Sequence, residues 1–329
     1  MKVIEIKNLS KEFKTLKREP SLKGYFKTLF SRNYEIKKAL DNIGLEVQQG
    51  EFLGVIGPNG AGKSTLIKIL TGVLTPTSGE VKALDLVPYK QRISYTKNIG
   101  VVFGQRTQLW WDLPVIDSFE LLKHIFKIPD KIYKENIENF SKILGIDKYL
   151  SVPVRKLSLG ERMRCDLAAS LLHNPKIVFL DEPTIGLDVE AKYRIREFLK
   201  ELNKKGVTII ITTHDMSDIE ELCSRIVIID KGKKIFDGKL SEIKRKFKKE
   251  RVLVIELHEA VDVNEISFSG IKLLEKIGNE YRFEIDTNKI TISDVIRKIL
   301  SKYSVHDILI EEPSIEEIIR EIYKKGLNV

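Results

Sequence analysis

The chain of 329 residues contains only two cysteines, Cys165 and Cys223. Two cysteines cannot form the disulfide framework of a small secreted domain, so a reducing compartment is expected. Both lie in stretches with helical spacing, and we interpret them as small buried residues rather than as reactive thiols.

Long apolar runs are also missing. The longest ones, such as VTIII at 207–211 and IVIID at 226–230, cover only four or five residues. A membrane-spanning helix needs roughly 20 apolar residues. The opening stretch MKVIEIKNLSKEF is charged from Lys2 onward and does not resemble a signal peptide. If the protein works at a membrane, we expect another chain to cross it.

Positive charge is abundant but unevenly distributed. The net charge is +9, from 56 Lys and Arg against 47 Asp and Glu. Residues 11–38 carry a local charge of +6 (nine basic, three acidic), and residues 231–251 carry +7 (ten basic, three acidic). Two interpretations stay open. These segments either face anionic lipid, nucleic acid or an acidic partner, or they are solvated lysine-rich surface.

Short apolar runs organise residues 1–240. Five of them alternate with helical patterns, at 52–57, 99–103, 177–181, 207–212 and 226–230. Strands that are apolar throughout are typical of a parallel sheet covered on both faces, so we predict an α/β domain with a mostly parallel central sheet. A basic insert at about 14–38 interrupts its opening strands. The spacing of five apolar side chains predicts an amphipathic helix there, packed on the domain or on a membrane surface: Leu22, Tyr25, Phe26, Leu29 and Phe30.

Residues 241–329 show a different pattern. We predict strands in VLVIEL, YRFEID and VHDILI, followed or preceded by two helical stripes. The capping box formed by Ser314 and Glu317 opens the second stripe. This small α+β module contains no Gly-rich loop and no cluster of catalytic residue types, so we interpret it as regulatory or structural.

The segment GPNGAGKS at 57–64 carries the clearest chemistry. It fits G-x-x-x-x-G-K-[ST], follows an apolar run and opens a helical pattern. Its glycines let the backbone wrap a phosphate, whose charge then meets amide hydrogens and a helix N-terminus. We expect Lys63 to reach the β- and γ-phosphates of ATP and the Ser64 hydroxyl to bind Mg²⁺. The predicted loop residues are Gly57, Pro58, Asn59, Gly60, Ala61, Gly62, Lys63, Ser64 and Thr65.

Polar residues also follow two other apolar runs. Asp181 and Glu182 end the run IVFLDE, at the sheet edge where such folds bind ligands. Asp181 suits the Mg²⁺ shell, and Glu182 suits a general base that takes a proton from the attacking water. His214 ends VTIIITTH and could face the γ-phosphate. A surface acidic turn and a non-catalytic histidine are the simpler alternatives.

The segment LSLGERMR at 157–164 offers a second anion site. Ser158 and Gly160 precede a helical pattern, so their hydroxyl and amide can face a phosphate. Ordinary N-cap chemistry explains the same residues equally well. Because the chain already has one phosphate loop, a second phosphate-binding element suggests a nucleotide shared between two subunits.

Six motifs occur in the order GPNGAGKST, Gln105 after an apolar run, LSLGE, IVFLDEP, GLD at 186–188 and His214. In this order they resemble the ATP-binding cassette (ABC) ATPase domain over residues 1–240. The resemblance implies a P-loop NTPase fold with an antiparallel subdomain and a helical signature subdomain. It implies that Gln105 senses Mg²⁺ and the γ-phosphate, that Ser158 and Gly160 clamp the partner subunit's ATP, that Asp188 couples the two sites, and that His214 stabilises the hydrolysis geometry.

Two departures from the family pattern stand out. Leu159 and Glu161 replace the usual Gly and Gln of the signature. The phosphate-contacting Ser158 and Gly160 are retained, so we expect function to survive. By the resemblance, the aromatic that stacks on adenine is either Phe13 or Tyr34, and the five-residue spacing from Tyr34 to Ala39, usual in the family, slightly favours Tyr34.

Over its whole length the chain resembles ATPase subunits of exporters whose permease is a separate chain. This implies a homodimer on the cytoplasmic face of the membrane. The chain's only tryptophans, Trp110 and Trp111, follow Gln105 closely, and we expect at least one to contact the permease; burial of both is the alternative. A soluble ABC ATPase acting on ribosomes or nucleic acid is the alternative function. A single cassette without coiled-coil or zinc inserts argues against it, so no nucleic-acid partner is expected.

Overall fold

The computed structural model describes residues 1–16, 34–104, 106–246, 250–261, 269–287, 289–311 and 314–325. They divide into two compact units, Met1–Asp237 and Gly238–Val329. The amphipathic helix predicted for the basic insert lies outside the described residues. None of the helices in the part of the chain that the structure describes is long and apolar enough to cross a membrane.

The first unit contains nine strands and seven helices among its described residues. In chain order the strands are β1 Lys2–Leu16, β2 Tyr34–Gln48, β3 Phe52–Ile56, β4 Ser78–Ala83, β5 Ile99–Phe103, β6 Ile177–Asp181, β7 Thr208–Thr212, β8 Arg225–Asp230 and β9 Lys233–Lys239. The helices are α1 Lys63–Leu70, α2 Arg92–Thr96, α3 Val115–Phe126, α4 Asp130–Leu144, α5 Leu159–Leu171, α6 Val189–Lys204 and α7 Met216–Leu222.

A six-stranded sheet in the order β5-β6-β7-β3-β8-β9 forms the centre of this unit. The pairs β5–β6, β6–β7, β7–β3 and β3–β8 are all parallel. Every residue of β3 and β7 is buried, and so are four of the five residues of β6. Burial of entire strands requires cover on both faces of the sheet. The predicted α/β fold with a mostly parallel central sheet is confirmed.

An antiparallel sheet in the order β2-β1-β4 completes the first unit. Its long hairpin pairs Phe13 with Lys37 and Leu16 with Tyr34. The backbone at both edges of the predicted insert is therefore strand, because cross-strand pairing satisfies its amides and carbonyls. Only residues 17–33 separate the two strands, which is a narrower segment than the predicted 14–38.

The second unit is a four-stranded antiparallel sheet with helices. One strand, Ile271–Ile277, was missed by the sequence analysis. It is a mostly exposed edge strand in which Lys272, Glu275 and Lys276 interrupt the apolar residues, so it has no long apolar run to reveal it. The elements are α8 Leu240–Lys246, β10 Glu250–Leu257, β11 Ile271–Ile277, β12 Glu280–Asp286, α9 Ile292–Lys302, β13 Val305–Glu311 and α10 Ile315–Lys325.

One face of this sheet packs against α9. Strand β12 alternates buried and partly buried residues along its length, as a strand with one covered face does. The predicted capping box is present: the Glu317 amide donates to Ser314 Oγ at 3.2 Å, and the Ser314 amide donates to Glu317 Oε2 at 2.9 Å. The core of the unit consists of Leu253, Ile255, Leu257, Tyr281, Phe283, Ile285, Val295 and Ile299.

Candidate nucleotide-binding site

The loop between β3 and α1 wraps tightly because glycine occupies its narrowest positions. A Cβ at Gly57 would lie 2.2 Å from the Ile229 carbonyl oxygen. Gly62 has a φ of +113°, and a Cβ there would lie 2.5 Å from the Ala39 carbonyl oxygen. Gly62 is also the N-cap of α1 and supplies no capping side chain. The backbone amides of the first helical turn therefore face the loop, which is how a helix N-terminus binds phosphate.

Lys63 extends across this loop. Its Nζ donates to the carbonyl oxygens of Gly57 at 2.6 Å and Pro58 at 3.3 Å. The side chain is buried, and burial lowers the pKa of Lys63, while the carboxylates of Glu182 and Asp181 act in the opposite direction. An ammonium held over a ring of amides and carbonyls fits the polyphosphate of a nucleotide.

The predicted metal ligands Ser64 and Asp181 meet at the carboxyl edge of the parallel sheet. Ser64 Oγ donates to Asp181 Oδ1 at 3.2 Å. Thr212 Oγ1 donates to the same oxygen. Hydroxyl and carboxylate oxygens are the hard ligands that Mg²⁺ prefers, so this pair fits such an ion. The sequence analysis missed Thr212; only its in-register pairing with Asp181 across β6 and β7 identifies it.

Glu182 and His214 form a second polar pair beside the first. His214 Nδ1 lies 3.5 Å from Glu182 Oε1. Glu182 has a φ of 54°, which is uncommon for a residue with a side chain, and its amide donates to the Thr212 carbonyl oxygen at 2.9 Å. A backbone held in this conformation aims the carboxylate past the strand end. The arrangement can accept a proton on Glu182 and orient a neighbouring group through His214.

A buried carboxylate that the sequence analysis did not identify holds the segments around Glu182 and His214 together. Asp218 accepts hydrogen bonds from Thr184 Oγ1, from Thr213 Oγ1 at 3.2 Å and from Arg196 Nε at 2.6 Å. Thr184 follows Glu182 by two residues, and Thr213 directly precedes His214. Their spacing in sequence gives no sign that one carboxylate joins them.

The loop opens onto a cavity of about 310 Å³, within the size range of small-molecule sites. Phe13, Lys37 and Ala39 line it on the hairpin side, and residues 59–65 with Glu182 line the rest. Tyr34 pairs with Leu16, further along the hairpin, and is not part of this wall. Of the two candidate aromatics, Phe13 therefore lines the cavity, whereas the extended strands place Tyr34 three residues beyond Lys37.

The signature residues lie at a second cavity of about 410 Å³, which shares no lining residue with the first. Ser158 and Gly160 line it together with Asp188, whose Oδ1 accepts from the Ala191 amide at 2.8 Å and so caps α6. Glu161 Oε2 accepts from the Ser158 amide at 2.9 Å, which lowers the pKa of Glu161. Glu161 thereby completes a capping box with Ser158.

Gln105 lies outside the described residues. Trp110 and Trp111 are 40% and 49% exposed, so neither is buried within this unit. The guanidinium carbon of Arg162 lies 5.3 Å from the centre of the Trp111 ring. The alternative of two core tryptophans is wrong, whereas contact with a partner stays a prediction.

Comparisons with known proteins identify the family of each part of the chain. Residues 40–185 match the model of the family described as "ABC transporter", and residues 238–323 match "ATP-binding protein DrrA1-3-like, C-terminal domain". The chain is 30% identical to the ABC transporter ATP-binding protein NatA of Bacillus subtilis, over 65% of this chain and 87% of that protein. It is 26% identical to the linearmycin resistance ATP-binding protein LnrL of the same species, over 90% of this chain and 96% of that one.

The fold has close solved neighbours. One is the dimeric structure of the ATP-binding cassette MJ0796 bound to ADP and Pi, which is 28% identical with a TM-score of 0.60 and matches 72% of this chain and 98% of that one. The phosphate loop, the carboxylates at the sheet edge and these relatives lead to one conclusion: the chain is a nucleotide-binding member of the ABC transporter ATP-binding protein family, with a DrrA-like C-terminal domain.

Proposed function

We propose that this chain binds Mg·ATP at the phosphate loop and hydrolyses it to power a transporter. Glu182 is the general base that takes a proton from the attacking water. His214, whose Nδ1 lies 3.5 Å from Glu182 Oε1, orients that water. Ser64, Asp181 and Gln105 hold Mg²⁺, whose charge would offset that of the phosphates. Phe13 is the proposed stacking partner of adenine. The observation that carries the proposal is the meeting of Lys63, Ser64, Asp181 and Glu182 at one sheet edge.

Two copies of the chain act together in this proposal. Each copy presents a phosphate loop on one cavity and the signature residues Ser158 and Gly160 on another. Two such halves, placed head to tail, complete two nucleotide sites, with Asp188 beside the signature in each. The dimer of MJ0796 with ADP and Pi supports this arrangement.

The proposed membrane partner is a separate permease, with the chain on the cytoplasmic face of the membrane. Trp110 and Trp111 supply the contact, because partly exposed aromatics are typical interface anchors. The proposed direction is export. It rests on LnrL, a resistance protein that matches both units of this chain, and on the DrrA-like match of residues 238–323.

A pull-down tests the transporter assignment. Tagged Glu182→Gln chain, which should bind ATP and turn it over slowly, is incubated with ATP and detergent-solubilised native membranes. We expect mass spectrometry to find a stoichiometric multi-span membrane protein. Lys63→Ala is the matched variant that should lose any ATP-dependent part of the capture. Recovery of ribosomal proteins or nucleic acid instead would favour the soluble alternative.

A second pull-down tests the tryptophan contact. Trp110→Ala combined with Trp111→Ala should retain ATP binding and lose the membrane protein. Leu300→Ala combined with Leu309→Ala removes two exposed apolar side chains of the second unit and should retain both. Undiminished capture by the tryptophan double variant would contradict the proposed contact.

A further inference from the structure

Residues 106–113, which follow β5 and carry both tryptophans, are called the tryptophan loop here. Asp166 on α5 holds its first half. Asp166 is only 4% exposed, and its Oδ1 accepts hydrogen bonds from Thr107 Oγ1 and from the Gln108 amide, each at 2.9 Å. The Asp166 carbonyl oxygen accepts from Gln108 Nε2 at 2.8 Å. Both the side chain and the backbone of one residue thus fix the loop to the helix.

The second half of the loop contacts the same part of the fold. Arg162, which stacks on Trp111, lies one helical turn before Asp166 and therefore on the same face of α5. Arg155, just upstream of α5, donates its amide to the Trp111 carbonyl oxygen at 3.0 Å, and its Nη1 lies 3.0 Å from Asp112 Oδ1. The Val154 amide also donates to the Leu113 carbonyl oxygen at 3.0 Å, so four residues, Val154, Arg155, Arg162 and Asp166, attach the loop to α5 and the segment that precedes it.

Helix α5 also carries the signature at its N-terminus. Ser158 is its N-cap and Gly160 lies in its first turn. Asp166 lies eight residues beyond Ser158, about two turns along one rigid element. If contact of Ser158 and Gly160 with a nucleotide shifts this helix, the shift therefore also moves Asp166, which holds the tryptophan loop.

A carboxylate at this buried position needs a reason, because burial of a charge destabilises the fold unless hydrogen bonds offset it. Burial raises the pKa of Asp166 to about 6, while the Gln108 amide, the Thr107 hydroxyl and the Arg162 guanidinium act in the opposite direction. The hydrogen bonds that this carboxylate accepts from the loop offset the cost of its burial. A hydrophobic residue would pack here at lower cost but would leave the Gln108 amide without its acceptor.

We propose that Asp166 is a positioning residue that fastens the tryptophan loop to the signature helix, so that nucleotide engagement at Ser158 and Gly160 is transmitted to Trp110 and Trp111. The nucleotide step rests on the proposed function. The attachment itself is a property of the folded chain and is testable without nucleotide. Such coupling between two sites has to be shown by breaking the connecting contact, since proximity alone does not demonstrate it.

The chain reports on this loop by itself. Trp110 and Trp111 are the only tryptophans in the sequence, so tryptophan emission comes from the loop alone. In the Glu182→Gln background, Mg·ATP should change that emission. Asp166→Ala should abolish the change, whereas Asp166→Asn, which keeps an oxygen at the Oδ1 position, should retain it. Ser170→Ala is the matched control: Ser170 is a buried polar residue of α5 whose hydroxyl donates only to Leu167 within the same helix.

A static measurement complements this experiment. Without nucleotide, acrylamide should quench the tryptophans more strongly in Asp166→Ala than in the parent chain, Asp166→Asn or Ser170→Ala. Equilibrium dialysis with labelled ATP follows binding separately, and Asp166 lines neither of the two cavities described above. If the parent chain did not bind ATP, the proposed function would be contradicted. The quenching comparison would still show whether Asp166 attaches the tryptophan loop to the helix.

Four results would overturn the inference. One is an ATP-dependent emission change in Asp166→Ala equal to that of the parent, and the second is no such change in a parent that binds ATP. The third is equal quenching of Asp166→Ala and the parent, since a released loop must expose its tryptophans differently. The fourth is failure of Asp166→Asn together with Asp166→Ala, which would contradict the proposed role of the Oδ1 acceptor.

Discussion

The interiors of the two units differ in chemistry. Among the described residues of Met1–Asp237, ten polar or charged side chains are buried: Lys63, Thr71, Ser118, Asp166, Ser170, Thr184, Thr208, Thr212, Thr213 and Asp218. Within the described part of Gly238–Val329, every buried side chain is hydrophobic, and the Tyr281 hydroxyl is paired with the Val261 backbone at 2.8 Å.

This difference indicates that the two units have different roles. Buried polar groups destabilise a fold unless each is hydrogen-bonded, so a protein retains them where position matters. In the first unit, Lys63, Thr184, Thr212, Thr213 and Asp218 belong to the candidate nucleotide site or to the segments around it, and Ser118 and Asp166 accept hydrogen bonds from the tryptophan loop. The remaining three, Thr71, Ser170 and Thr208, form hydrogen bonds elsewhere in the unit. The described part of the second unit has an alternating apolar core without buried polar residues, as expected if its role is structural. Four predictions follow from this comparison.

Removal of the Glu182 charge should have the largest effect. General-base catalysis contributes roughly 10²- to 10⁴-fold to a rate, so Glu182→Gln should lower kcat for ATP hydrolysis by about that factor. ATP binding should persist, because Lys63 and the loop amides are unchanged. A steady-state phosphate-release assay measures this.

Glu138→Gln is the matched control for that assay. Glu138 is an exposed carboxylate whose partner is Lys142, one turn along α4. It should hydrolyse ATP at the wild-type rate. Wild-type turnover by Glu182→Gln would refute the general-base assignment.

Truncation of the second unit's core should affect stability without affecting the nucleotide. Phe283 is fully buried, and Phe-to-Ala changes in cores cost about 3–5 kcal/mol. Urea unfolding followed by circular dichroism should show a less stable transition for Phe283→Ala, with unchanged ATP affinity in equilibrium dialysis. Leu309→Ala, at a residue that is 55% exposed, should leave both unchanged. A fall in ATP affinity that accompanies the loss of stability in Phe283→Ala would contradict the inference that the two units have separate roles.

A glycine in the phosphate loop should show a different pattern, in which ATP affinity and stability both fall. Gly57→Ala places a Cβ 2.2 Å from a backbone oxygen, and overpacking of this kind costs about 1–3 kcal/mol. The loop must shift to relieve the contact, so ATP affinity should fall together with stability. Gly44→Ala is the control, because its Cβ meets nothing closer than 3.8 Å. Retained affinity in a destabilised Gly57→Ala would mean that the loop tolerates displacement.

The sequence predicted the parts of this molecule that depend on local pattern. The apolar runs located the parallel strands, and the glycine spacing located the loop that holds Lys63. Spacing also predicted the two helical stripes and the capping box of the second unit. In each case the chemistry and the structural signal lie within a few consecutive residues.

Contacts between distant residues were not predictable in this way. Asp218 gathers Thr184 and Thr213, and Thr212 reaches Asp181, only because strands β6 and β7 pair in register. Tyr34 was preferred over Phe13 from its spacing along the chain, yet the length of the hairpin decides which aromatic reaches the cavity. The hydrogen bonds from Asp166 to the tryptophan loop span 58 and 59 positions and leave no local pattern.

The smallest expected effect concerns the charge of Asp166. Whether that charge lowers or raises the free energy of unfolding distinguishes a positioning residue from a stabilising one. Burial raises the pKa of Asp166 from 3.8 to about 6, so the folded state binds this proton more tightly than the unfolded state. The free energy of unfolding should therefore fall as pH rises from about 4 to about 6. Above that window the charged carboxylate weakens the fold, by at most about 3 kcal/mol and by about 1 kcal/mol once local relaxation is included.

Asp166→Asn removes that titration and keeps the acceptor for the Gln108 amide. At pH 7.5 we expect it to be more stable than the parent chain by about 1 kcal/mol. Near pH 4 the advantage should vanish, because both side chains are then neutral. Urea titrations at the two pH values measure the difference. An Asn variant that is less stable than the parent at pH 7.5 would mean that the negative charge itself holds the loop, which would assign Asp166 to the stabilising interactions of the first unit.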